Sequence, residues 1–100
     1  MAAKIINADP YQGLTVTLTA GSFKATGVVD EVCSIVYASL QQMPGPPPIP
    51  GTPPRITNVG EYQGWSFTFN GVVANAQYTL TVTAQSSSGT ATAAIMIYTA

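Results

Sequence analysis

The sequence predicts an all-β, antiparallel β-sandwich of about seven strands, in a single domain over residues 1–100. Three observations predict it. Several segments alternate apolar and polar residues with a period of two, the mark of half-buried strands. Helix signals are missing: no apolar spacing of three and four persists over ten residues, and charged helix formers are scarce at 7% of the chain. Turn residues separate the alternating segments at short intervals, and about seven such strands in 100 residues form a sandwich.

The elements follow in chain order. "LTVTLTA" places Leu14, Val16, Leu18 and Ala20 on one face and Thr15, Thr17 and Thr19 on the other, so it reads as a half-buried strand. "GSFKATG" reads as a turn or bulge punctuated by Gly21 and Gly27. Val32 to Leu40 is apolar on both parities, which predicts a central strand or a strand whose bulge switches faces. Residues 43–55 form a proline-rich loop, with seven of the eight prolines between Pro44 and Pro54. Proline cannot donate to a sheet ladder, so this stretch is expected to be extended and solvated, joining two sheets.

"RITNVGEYQG" holds a short edge strand. In "WSFTFNG", Trp65, Phe67 and Phe69 point inward and Ser66 and Thr68 outward. "VVANAQ" turns. Tyr78, Leu80, Val82 and Ala84 then share the inner face of the next strand, opposite Thr79, Thr81, Thr83 and Gln85. "SSSGT" is a hairpin loop with Gly89 available for a positive φ. The return strand turns Ala91, Ala93, Ile95 and Ile97 inward.

The tyrosine at the head of "YTLTVTA" has a physical use. A sandwich crosses between its sheets over an arch whose backbone polar groups need partners. A tyrosine opening the next strand can bury its ring and hydrogen-bond the backbone a few residues upstream. "VVANAQYTLTVTA" has the order required, with the arch around Asn75.

On these residues, "WSFTFNGVVANAQYTLTVTAQSSSGTATAAIMI" resembles the C-terminal half of bacterial immunoglobulin-like domains. The likeness covers Trp65 to Ile97, about a third of the chain, and "LTVTLTA" fits an early strand. It implies an immunoglobulin-like sandwich with Greek-key connections. It also implies a structural or adhesive role on a bacterial surface or a virion, hence an extracellular location. Two departures stand out. The last hairpin, Gln85 to Gly89, lacks the acidic residue frequent there, and the proline-rich loop is long.

Composition excludes several functions. Net charge is −1, and Lys4, Lys24 and Arg55 cannot supply the basic patch that nucleic acid or an anionic membrane needs. No apolar run is long enough for a spanning helix, and "MAAKIINADP" is no secretory signal peptide. Cys33 is the sole cysteine and lies in an apolar run, so it reads as a buried thiol. No catalytic residue, metal site or cofactor is expected. The acids Asp9, Asp30, Glu31 and Glu61 form no evident pair, and without histidine no serine or cysteine has an activating base. Zinc has no ligand set, and calcium lacks its carboxylate cluster.

Two surfaces remain. "YQG" occurs twice, at Tyr11-Gln12-Gly13 and Tyr62-Gln63-Gly64, each ahead of an alternating strand. If the loops fell at one end, Tyr11, Gln12, Tyr62 and Gln63 would make a platform for carbohydrate. The second surface is "AAIMIYTA", which is apolar on both faces. Ala94, Met96 and Tyr98 point outward on a last strand, where natural edges usually carry charge or proline. It predicts a protein partner or self-association, unless the proline-rich loop covers it. Pro46, Pro47 and Pro48, stiff and extended, are the other candidate partner contact.

Overall fold

The computed structural model describes residues 5–9, 11–42, 45 and 48–100. They form nine strands and no helix: β1 (Ile5–Asp9), β2 (Thr15–Val16), β3 (Phe23–Val29), β4 (Cys33–Gln42), β5 (Ile49–Pro50), β6 (Ile56–Val59), β7 (Gly64–Phe69), β8 (Gln77–Ser86) and β9 (Gly89–Thr99). Two sheets result. The smaller has the order β1-β3-β7. The larger has the order β2-β9-β8-β4-β5, with β6 also on the outer edge of β4. Apart from β2, which runs parallel to β9, every pairing between these strands is antiparallel.

The inward alternation holds where the segments are long. Trp65, Phe67 and Phe69 on β7, with Phe23, Ala25 and Val29 on β3, are buried against Val36, Ala38, Leu40, Leu80, Val82 and Ile97 of the larger sheet. A buried aromatic ring removes roughly 150–250 Å² from water, so this face dominates the core. In β4 the register shifts between Cys33 and Ile35. Cys33 and Val36 are both buried and Ser34 is exposed between them, so the strand does carry a face-switching bulge.

Three sequence expectations need correction. "LTVTLTA" is strand only at Thr15–Val16, because it has a ladder partner only along the last residues of β9. Leu14, Val16 and Leu18 are half-buried as expected, but Ala20 sits exposed in a turn at φ +52°. "GSFKATG" is not a turn, since most of it lies in β3. The cause is Trp65: a Cβ on Gly27 would lie 2.2 Å from its Cζ2, so glycine is there to admit the indole. The proline-rich loop is not wholly solvated. Ile49–Pro50 pairs with Leu40 and Ser39 on the edge of β4, where proline is tolerated. Thr52 then exchanges two backbone bonds of 2.9 Å with Thr68 of the opposite sheet. Gly51, buried between these contacts, has no room for a Cβ against Phe67.

The arch between β7 and β8 carries the expected tyrosine tie. Tyr78 is buried, and its Oη accepts the Val73 N–H at 2.9 Å. Asn75 turns the arch at φ +55°, a conformation asparagine tolerates. Buried Thr99 adds a second tie that the sequence did not announce. Its Oγ1 donates to the Val73 carbonyl at 2.6 Å and accepts the Ala76 N–H at 2.9 Å.

Two outcomes follow. Gly27→Ala forces the Trp65 ring to move and lowers unfolding free energy by about 1–3 kcal/mol, the range of core overpacking. Urea unfolding with a red shift of tryptophan emission measures it; wild-type stability would sink this account. Tyr78→Phe keeps the ring, removes the bond to Val73 and costs about 1 kcal/mol. Faster hydrogen exchange at the Val73 amide is the local sign, and unchanged exchange there would contradict the tie.

Candidate functional site

The two "YQG" segments lie apart. Tyr62 is on the β6–β7 turn, where its N–H donates to the Val29 carbonyl, at the same end as the β8–β9 hairpin. Tyr11 lies between β1 and β2, and Gly13 N–H donates to the Met96 carbonyl, in the half of β9 away from that hairpin. The arrangement that would have made one sugar platform is therefore not met. The glutamines share another task. Gln12 Oε1 accepts the Met96 N–H at 2.9 Å, and Gln63 Oε1 accepts the Gly60 N–H at 2.6 Å. Gln63 closes its own turn, Gln12 ties its loop to β9, and Tyr11 and Tyr62 remain 57% and 66% exposed.

The outer face of β9 is as predicted. Ala94, Met96 and Tyr98 are exposed, and the Met96 Sδ accepts from Gln77 Nε2 at 3.2 Å and from Tyr98 Oη at 3.7 Å. Beside β9, β2 pairs only with Tyr98 and Thr99. The Met96 and Tyr98 backbone groups turn toward that side. The period of two turns those of Thr90, Thr92 and Ala94 the same way. Among the described residues no strand pairs with them there. β9 itself carries no proline and no charge. The described end of the proline-rich loop lies across the sheet, beside β4, so Pro48 and the residues after it do not cover β9. Pro48 is exposed; Pro46 and Pro47 lie outside the described residues.

Clefts open on the surface of the described residues. One, of about 500 Å³, runs along the β1–β2 crossing and is lined by Asp9, Thr17, Thr19, Ser22, Lys24 and Thr68 among others. The second, of about 620 Å³, is lined by Ile35, Tyr37, Pro54, Arg55 and Gln85. Neither was expected from the sequence: the first is lined almost wholly by residues 9–24, with Thr68 from β7, and the second joins residues of β4, β8 and the approach to β6. Among the described residues, no group of three or more His, Cys, Asp or Glu side chains could hold a metal ion.

Glu31 supplies the acid that the last hairpin lacks. From the β3–β4 turn its Oε1 accepts the Ser86 hydroxyl at 2.6 Å and the Ser88 hydroxyl. These bonds, Ser86 first, hold the carboxyl below its ordinary value. Cys33 is fully buried, and its thiol contacts the Glu31 carbonyl at 3.4 Å. Burial first, then the Glu31 and Asp30 charges, push the thiol up, away from the reactive thiolate.

No protein-family model and no curated protein sequence matches this chain.

The Glu31 contact has a pH signature. A carboxyl depressed by folding adds stability above its unfolded value, and that stability is lost as pH falls through the folded value. The difference in melting temperature between wild type and Glu31→Gln should therefore shrink as the solution is acidified. A constant difference across that range would mean that Glu31 does not titrate against the two serines.

Proposed function

We propose that this chain is a non-catalytic, immunoglobulin-like interaction module that associates through the outer face and free edge of β9. The strand order supports the fold reading. A β1-β3-β7 sheet faces a β2-β9-β8-β4 sheet, the first strands divide between the two, and β2 runs parallel to the last strand. The Tyr78 tie to Val73 matches the tyrosine corner of such sandwiches. A role on a bacterial surface or virion rests on the sequence resemblance alone.

The observation that carries the function is the state of β9. Its ladder from Thr90 to Ala94, unpaired on the outer side among the described residues, is a template for another strand, and Ala94, Met96 and Tyr98 form an apolar strip beside it. Self-pairing meets little repulsion, because neither β8 nor β9 carries a charge. The separated "YQG" loops and the hydrogen-bonded Glu31 add nothing toward catalysis.

Light scattering over a concentration series tests the reading. Wild-type mass should rise toward a dimer or a larger defined assembly. Met96→Lys places an ammonium on the strip and should hold the chain monomeric, with an unchanged circular dichroism spectrum. A wild-type chain that stays monomeric at the highest concentration would end the self-association reading.

A further inference from the structure

We propose that the Tyr37–Arg55 groove binds an acidic sugar, a hexuronate unit of a glycan. This goes beyond the association surface and uses none of its residues. The floor is the outward face of β4 and β8. Ile35 and Tyr37 stand two residues apart on β4, and Gln85 lies opposite Ile35 on β8. Pro54 and Arg55 form the wall where the chain enters β6.

The chemistry is asymmetric. Ile35, Tyr37 and Pro54 give the groove an apolar side of the kind that takes the C–H face of a sugar ring, and Tyr37 is 40% exposed. Arg55 is the sole arginine of the chain, exposed at the rim, and no ion pair engages it among the described residues. Its planar fork fits a carboxylate with two parallel bonds. The Gln85 amide and the Tyr37 hydroxyl can meet ring hydroxyls. A bare phosphate would leave the apolar floor unused, and a neutral sugar would leave the guanidinium unused. The volume, about 620 Å³, suits a short oligosaccharide. The neighbouring outward residues of β4 and β8 are serine, threonine and glutamine, and the Glu31 carboxylate beyond Gln85 is engaged by the Ser86 and Ser88 hydroxyls.

The experiment is a titration of the isotope-labelled chain with a galacturonic acid trisaccharide, followed by amide shifts. A galactose trisaccharide and a triglutamate peptide serve as comparators. Saturable shifts are expected at Ile35, Tyr37, Arg55 and Gln85, with the neutral sugar and the peptide each at least about ten-fold weaker. Arg55→Gln should remove the preference for the acidic over the neutral sugar, and Tyr37→Ala should weaken both. Both side chains are exposed, so the variants are expected to fold, and their amide spectra verify it. The proposal fails if no saturable shift appears up to about 10 mM, a barely favourable affinity. It fails equally if the shifts lie elsewhere, if Arg55→Gln binds as wild type does, or if triglutamate matches the sugar.

Discussion

The backbone between β7 and β8 has to pass from one sheet to the other, and polar groups there cannot join either ladder. That constraint organises the larger sheet. The Val73 amide is met by the Tyr78 hydroxyl, and the Val73 carbonyl and Ala76 amide by the Thr99 hydroxyl. One tie comes from the start of β8 and the other from the end of β9. Both strands are thereby set against the same arch. Their pairing then runs unbroken from Gln77 and Tyr98 to Ser86 and Gly89. At the far end Glu31 joins the hairpin by accepting from Ser86 and Ser88, so β8–β9 is held by side-chain bonds at both ends, from Tyr78 and Thr99 at one and Glu31 at the other.

The two layers are unequal, and the packing answers to that. Three strands cover one of six, so the smaller sheet presents its largest side chains: Trp65, Phe67 and Phe69 on β7 and Phe23 on β3. Phe23 lies 5.5 Å from Phe69, and Trp65 lies 5.9 Å from Phe67, ring centre to ring centre. The indole fits only because Gly27 yields its side-chain volume, and its Nε1–H is buried without an acceptor among the described residues. Such a lone donor costs about 1–3 kcal/mol, offset by the apolar area the ring buries. The cover ends before β9 does, and Ala91 and Ala93 are only half-buried. The open edge of β9 is the outer limit of this mismatch.

Long alternating segments were legible because a single rule, burial on alternate residues, governs them over their full length. Trp65 to Phe69 and Tyr78 to Ala84 are of this kind, and so is the tyrosine tie, whose partners are five residues apart. What stayed hidden depends on distant residues. Gly27 is punctuation in one dimension and a socket for Trp65 in three. The hairpin without an acid finds Glu31 more than fifty residues away. The glutamines of the "YQG" repeats resembled ligand groups until Met96 and Gly60 appeared as their backbone partners. The outward strip of β9 was readable from its own parity. The Tyr37–Arg55 groove was not, since it needs three strands in register.

The parallel pairing of β2 with β9 has a mechanical consequence. Gly13 to Met96, Tyr98 to Leu14 and Ala100 to Val16 are backbone bonds between the early and the last residues of the chain. The strands run in the same direction, so tension drawn from the early side of β2 and the late side of β9 slides them past each other. These bonds lie across the direction of pull and share the load, whereas a hairpin pulled from its open end parts one bond at a time. This short clasp joins an early and a late segment at one edge of the larger sheet as a lap joint rather than a zipper.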